Sequence, residues 1–460
     1  MSYNNKLIVV LILMLVIPMT LYAQFERDIV ALNKYQLKKN ICRQCMGKDF
    51  HLTDFKQINS IKPIWKPQGD AFLSRWECLG PEGGNVNDML MDPTNPAIIY
   101  VAPATTPCPI FKSTDAGKSW NVVGIVDISV FAMAIDPNNP STLYAGGSIP
   151  QVYKSTDGGV NWTGYQFSTD YNWVYALAIN PADPNIIYAG IDYWNGSDYT
   201  MGVMKSTNGG SQWQIKSFDT DYGAGYSIAI DPQYPDTVFV GGRIGQSAKV
   251  FKTADGGTNW TDISSALIGN SVNSLTIHPD TTTIIFAGTY QYLFKSKNGG
   301  ESWDVSGYFS TNDLTINTRT PDIMYAGSNG EVYKSTDCGV SWNGTGNGTA
   351  MTNITTILTD PTSADIVYAG GQSGILKTVN GGTDWAISNK GFIAAPVSEL
   401  VVPQTAPNIL YIAIDDDALF KSEDRGQSWK RLEEFEGCTG VIDLAVAPNS
   451  PDTLYVLSGG

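Results

Sequence analysis

Beyond residue 75 the chain is a succession of short apolar or alternating runs, each cut off by Pro, Gly, Asn or Asp. One stretch displays the unit: runs at Val130–Ile135, Leu143–Gly146, Val152–Ser155 and Asn161–Tyr165, with Asp136-Pro-Asn-Asn-Pro140 and Gly147-Ser-Ile-Pro150 among the breaks. Short runs bounded by turn formers read as strands. The unit is therefore four strands joined by tight turns, and it recurs along the whole segment.

The recurrence is carried by a phrase, Ser113-Thr-Asp115-Ala-Gly117-Lys-Ser-Trp120. It returns at Ser155–Trp162, Ser206–Trp213, Thr253–Trp260, Ser296–Trp303, Ser335–Trp342, Thr378–Trp385 and Ser422–Trp429. Successive tryptophans are 42, 51, 47, 43, 39, 43 and 44 residues apart. A period of this length built of short strands predicts an all-β fold, a β-propeller with one four-stranded blade per period. At least seven blades are expected, and eight or more on the count of phrases. The chain ends at Gly460, two strands into a ninth period.

The phrase falls between the third and fourth strands, where the chain must reverse tightly. Its Asp or Asn can accept backbone N–H bonds within the turn, and Gly supplies a positive φ. The Trp is a large apolar plate for the space between blades. Asn replaces Asp at Asn208, Asn298 and Asn380, while Asp115, Asp157, Asp255, Asp337 and Asp424 keep the carboxylate. A catalytic acid would not survive that exchange, so all eight positions read as structural. The phrase resembles the Asp-box, or bacterial neuraminidase repeat. That repeat occurs in sialidases, xyloglucan-cleaving glycoside hydrolases, sortilin-type receptors and photosystem assembly factors. The resemblance implies the propeller, and it leaves activity open because those families do unrelated things.

Upstream the pattern changes. Lys6, the apolar run Leu7–Ile17 and Leu21-Tyr22-Ala23 make residues 1–23 a signal peptide cut after Ala23, hence a secreted or cell-surface protein. Residues 24–74 are expected to hold a short helix over Phe25–Asn40 and a linker, and 75–460 the propeller. Six cysteines in an exported chain favour disulfides. Cys42-x-x-Cys45 reads as a local pair ahead of a zinc half-site, since His51 is the only nearby histidine. The net charge of −15 argues against nucleic acid or an anionic membrane as partner.

There are only two histidines, His51 and His278, which removes histidine triads and multi-histidine metal sites. No metal or cofactor is expected. Any catalysis would rest on carboxylates or tyrosine, as in glycoside cleavage. The resemblance to sialidases would imply an arginine triad and a Phe-Arg-Ile-Pro segment. The propeller has only Arg75, Arg243, Arg319, Arg425 and Arg431, and lacks that segment. Resemblance to xyloglucanases would imply an acid in an early blade, where Tyr100-Val-Ala-Pro-Ala-Thr-Thr-Pro stands instead.

The Asp-Pro turns and the Asp-boxes open on one face of the disc. The opposite face carries the variable connections, the usual place for function. Its most distinctive loop is Ile191–Thr200, with Asp192, Tyr193, Trp194, Asp198 and Tyr199. Neighbouring connections hold Asp170, Tyr171 and Trp173, and then Asp219, Asp221 and Tyr222. Aromatic plates and carboxylates there suit a glycan groove; equally, the aromatics could pack over blade edges and the acids keep the loops soluble. Asp415-Asp416-Asp417 reads as a solvated turn. The reading is an extracellular interaction module for a polysaccharide or protein. The alternatives are a glycosidase using acids among Asp170, Asp192, Asp198, Asp219 and Asp221, or a sortilin-like peptide receptor with an open tunnel.

Overall fold

The computed structural model describes residues 83–170, 172–345, 353–372 and 374–390. Beyond these it describes 397–403, 406, 408–414, 418–424, 429–432, 441–447 and 450–458. The leader, Cys42, Cys45, Cys78, Cys438, Tyr171 and Asp415–Asp417 lie outside the described residues.

The described chain is all β. Four-stranded antiparallel sheets succeed one another in chain order, each strand paired with the next. In the second blade the strands are Val130–Ile135, Leu143–Gly147, Gln151–Ser155 and Thr163–Gln166. Blades 3 and 4 share one strand, Gln214–Ile230, which runs as the outer strand of one and the inner strand of the next. The segment around Asp219 and Tyr222, expected as a loop, is therefore extended strand. The reason is the long hairpin before it: Trp194 pairs with Tyr199, and Thr200 then pairs with Tyr222.

Seven blades close into a ring between residues 86 and 387. Seven buried apolar clusters each span one seam between consecutive blades, the last joining Tyr368 and Ile375 of blade 7 to Val86, Phe111 and Trp120 of blade 1. Non-directional apolar burial of this kind is the main stabilising term. Directional bonds repeat from seam to seam as well. The lysine before each Asp-box of the ring lies over the second-strand aromatic of its own blade, and in blades 2 to 7 it donates to the next blade's Asp-box turn. Lys154 reaches the Gly209 carbonyl at 3.0 Å, Lys205 reaches Gly256 at 2.7 Å, and Lys377 reaches Ala116 of blade 1 at 2.7 Å. The Tyr368 hydroxyl donates to the same Ala116 carbonyl at 2.9 Å. The glycine of Tyr-Ala-Gly permits the close approach: a Cβ on Gly370 would stand 2.7 Å from Val86 Cγ1.

Within each Asp-box the bonding is local. Asp115 Oδ1 accepts from Ser113 Oγ at 2.8 Å and from Ser119 N at 2.9 Å. Asn208, Asn298 and Asn380 accept the equivalent backbone N–H at 2.9, 3.0 and 2.9 Å. Hydrogen bonds from the residue four positions on hold the carboxyls of Asp115, Asp157, Asp255 and Asp337 down at about 2. Ala116 and Cys338 take the left-handed conformation (φ 59° and 55°) at the position where most boxes have glycine. Cys108 and Cys338 are free thiols. At the Asp-Pro turn of blade 5, His278 stands in for Asp: its Nδ1 accepts from Asp280 N at 3.3 Å and Thr281 N at 3.1 Å.

A second compact unit includes Ser398–Ala413 and Leu419–Gly460. Strands Leu410–Ile414, Ala418–Ser422 and Lys430–Arg431 belong to a further four-stranded sheet, and Val441–Ala447 with Ser450–Ser458 form a hairpin. Val401, Ala413, Leu419 and Leu444 make the core of this unit.

Candidate functional site

The first strands of successive blades touch one another around the ring and so form its inner wall. Each begins with the same irregularity. In six blades the register slips by one residue, after the first pair in five of them and after Gly225 in blade 4, leaving Asn87, Phe131, Tyr175, Tyr226, Asn273 and Thr355 as the extra residues. Asn312, directly before the Asp313–Gly327 pair, takes the place in blade 6. A β-bulge re-aims the side chain it frees. These seven residues therefore ring the inner wall, at the end away from the Asp-boxes.

On one arc they tie blades together. Asn87 Nδ2 donates to the Val130 carbonyl at 2.7 Å, Asn312 Nδ2 to Ile354 at 2.9 Å, and Thr355 Oγ1 to Val86 at 2.5 Å. The residue after the bulge adds an acceptor for the next blade. Asp88 Oδ2 takes Met133 N at 2.6 Å, and Asp313 Oδ2 takes Ile357 N at 2.9 Å. Burial pushes the Asp88 carboxyl up to about 7 and raises that of Asp313 as well.

On the other arc, blades 2 to 4, the bulge residues are aromatic and form a continuous cluster. Phe131 stacks on Tyr175 with centroids 5.7 Å apart, and Tyr226 meets Tyr175 edge-on at 5.1 Å. Trp173 lies 5.6 Å from Phe131 and 6.1 Å from Tyr175, and is 41% exposed. Two charged residues flank this cluster from equivalent second-strand positions: Asp192 in blade 3, two residues past Gly190, and Arg243 in blade 4, two past Gly241. Asp192 Oδ1 accepts from Trp173 N at 2.5 Å, and its Oδ2 faces the Tyr175 hydroxyl at 3.4 Å. Burial, rather than a second carboxylate, raises Asp192 to about 6. Burial and then the nearby Asp192 push the Tyr175 hydroxyl well above the usual phenol range. The Arg243 guanidinium lies under the Tyr222 ring at 4.8 Å, and its buried Nε has no hydrogen-bond partner among the described residues. An orphaned buried donor costs about 1–3 kcal/mol, which marks the position for explanation.

Of the residues singled out in the sequence, Asp192, Trp173 and Tyr222 come together here. Trp194 and Tyr199 instead pack on each other, 5.1 Å apart, at the tip of the long hairpin. Asp198 accepts from its neighbour Tyr199 N at 2.8 Å in the same tip. Tyr193 packs against the seam between blades 2 and 3. Asp170, Asp219 and Asp221 are exposed. Sequence reasoning missed Phe131, Tyr175, Tyr226 and Arg243. A signal was present: aligned first strands read Val-Phe-Ala, Val-Tyr-Ala and Gly-Tyr-Ser where other blades read Val-Asn-Asp, Val-Asn-Ser and Ile-Thr-Thr.

The fold and this site together define an Asp-box β-propeller whose ring of seven blades carries one aromatic arc. The chain belongs to the photosynthesis system II assembly factor YCF48 family, whose profile matches residues 193–447, over half its length. Among solved structures it is similar to YCF48 from Cyanidioschyzon merolae, with 15% identity and a TM-score of 0.50 over 65% of this chain and 96% of that one. A GH74 enzyme from Niastella koreensis matches at 16% identity and a TM-score of 0.27, covering 76% of this chain and 78% of that one. A YCF48 bound to D1 peptide matches at 16% and 0.37, covering 62% and 90%. At these identities the likeness extends to the fold alone, and the latter two add nothing to it. No curated protein sequence matches the chain.

Proposed function

We propose that this protein is an exported binding module whose aromatic arc grips a segment of an extracellular protein or, failing that, a glycan. The carrying observation is positional. Three consecutive blades place Phe131, Tyr175 and Tyr226 at the site where Asn87, Asn312 and Thr355 tie other blades together. Aromatic plates offer large contact area at low entropic loss, and they cluster in binding sites. Membership of an assembly-factor family supports a protein partner ahead of a polysaccharide. The test is an array of peptides and oligosaccharides probed with the wild-type chain and a Phe131→Ala/Trp173→Ala double variant. Ligands held by wild type and lost by a variant of unchanged Tm support the reading; equal retention by both sinks it.

The second reading is a glycoside hydrolase, favoured by Asp192, whose carboxyl titrates near where a general acid should. Against it, Asp192 is engaged by Trp173 N and Tyr175, and Tyr175 is made a poorer nucleophile by its surroundings. Such chemistry also needs a second carboxyl about 5–10 Å away. Reducing-end release from a polysaccharide panel, abolished by Asp192→Asn, would establish it.

A further inference from the structure

Where blade 7 meets blade 1, a cavity of about 310 Å3 lies between the outer strand Ala386–Ile387 and the Asp-box turn at Gly117. A groove of about 350 Å3 holds the equivalent place between blades 3 and 4, so the repeat separates what the ring requires from what this seam adds. Lys377 belongs to the common pattern, tied to the Ala116 carbonyl. Lys118 does not: the same box position is Val160, Ser211, Thr258, Glu301, Val340 or Thr383 elsewhere in the ring. Val379 replaces a residue that is Thr in four of the other six boxes. Lys390, five residues past the box Trp, has no cationic counterpart in the other six blades. Trp120 N donates to the Lys390 carbonyl at 2.8 Å, and Lys118 stands two residues before that Trp, which holds both lysines at one seam. Neither joins an ion pair among the described residues. The one acid lining the groove, Asp384, is engaged by Asn380 Nδ2 at 2.8 Å. Burial and then the charge on Lys118 lower the pKa of Lys377, so the two ammonium groups crowd each other. Beside them Val379 and Ile387 are 65% and 77% exposed.

We infer that this groove binds a small phosphate monoester, its phosphate among Lys118, Lys377 and Lys390 and its apolar substituent against Val379 and Ile387. An ammonium is a compact point charge with three donors, suited to phosphate oxygens approached from several sides. Three lysines against one carboxylate leave an excess of two positive charges, which a phosphate dianion matches and a single carboxylate does not. A large polyanion is disfavoured, because the rest of a chain of net charge −15 repels it. The volume lies at the lower end of the range for small-ligand sites, enough for one ring and its phosphate. A ligand held there touches both blade 7 and blade 1, so it stabilises the closed ring by mass action.

The test is calorimetric titration of the full chain with phenyl phosphate, inorganic phosphate and benzoate, each also scored by the rise it causes in Tm. Phenyl phosphate should bind about tenfold more tightly than either of the others, which lack its ring or its second charge. The Lys118→Gln/Lys390→Gln double variant should lose at least about tenfold in affinity for phenyl phosphate, with the ligand-free Tm unchanged. Val379→Thr should weaken phenyl phosphate and leave inorganic phosphate as it was. Undiminished binding by the lysine variant puts the site elsewhere and overturns the proposal, as does the absence of saturable binding by wild type. Inorganic phosphate held as tightly as phenyl phosphate removes the apolar half and overturns it too. Cosedimentation with vesicles of phosphatidic acid in phosphatidylcholine, without binding of phenyl phosphate, reassigns the lysines to a membrane surface and rejects the soluble ester.

Discussion

The two arcs of the inner ring use one backbone device for opposite ends. Every first strand opens on a freed side chain, and in blades 1, 6 and 7 it bonds the next blade's first residue. In blades 2 and 3 the freed residue is aromatic, and the residue after it is Ala132 or Ala176, which offers no acceptor where Asp88 and Asp313 provide one. Ring integrity is thus assigned unevenly. Apolar clusters join all seven seams and Asp-box lysines six of them, while the polar ties from bulge residues concentrate on one side. Blades 2 and 3 surrender these directional bonds and gain a surface, whereas blade 4 keeps one, Leu275 N donating to Ser227 Oγ at 2.8 Å. A repeat protein can specialise part of its ring in this way because each repeat contacts only its neighbours.

The largest expected effect separates the arcs by pH. Asp88 has a folded value of about 7 against 3.8 in the unfolded chain. Between those values the native state binds more protons, so stability falls as pH rises and the loss is complete above 7. At about 1.36 kcal/mol per unit the loss approaches about 4 kcal/mol. The Asp-box carboxyls at about 2 act oppositely, with stability lost as pH falls from 4 toward 2. Urea unfolding across pH 3–9 should therefore give a maximum near pH 4–5; stability still climbing at pH 8 contradicts the buried Asp88 tie.

Next in size, Asp313→Ala should lower unfolding free energy by about 3 kcal/mol, because Ile357 N and Leu314 N lose their carboxylate acceptor. A change below about 0.5 kcal/mol would mean the polar arc carries no special share. Moving the polar residue into the other arc is milder. Phe131→Asn should leave stability within about 1 kcal/mol, a new tie to the Val174 carbonyl offsetting the lost stacking on Tyr175. Binding of any ligand found on the arrays should vanish, and a variant that still binds would dissociate the aromatic arc from recognition. The smallest effect belongs to Tyr226→Phe, which keeps the edge-on contact with Tyr175. Stability should shift by less than about 0.5 kcal/mol, and a larger shift by thermal denaturation would give the hydroxyl a structural part.

The repeat, the four-strand blade and the turn chemistry were legible along the chain because their bonds are local. Asp115 meets Ser113 and Ser119 within a single turn, and Asn208 substitutes for it without loss. The spacing of 51 residues marked the insertion at Ile191–Thr200, but as a loop; most of it is paired strand, Ile187–Trp194 against Tyr199–Ser206. Ring closure was not legible, since the phrase at Ser422–Trp429 reads like the seven before it. Which blade the Lys377 ammonium reaches depends on curvature accumulated over seven seams, and only the folded ring brings it to Ala116. The aromatic arc was hidden for a related reason. Strict alternation assigns a side chain's face, but a bulge adds one residue and reverses that assignment, as at Phe131. Local hydrogen bonding therefore let the sequence determine blade and turn, whereas register and closure, being relations between distant segments, were decided by the tertiary structure.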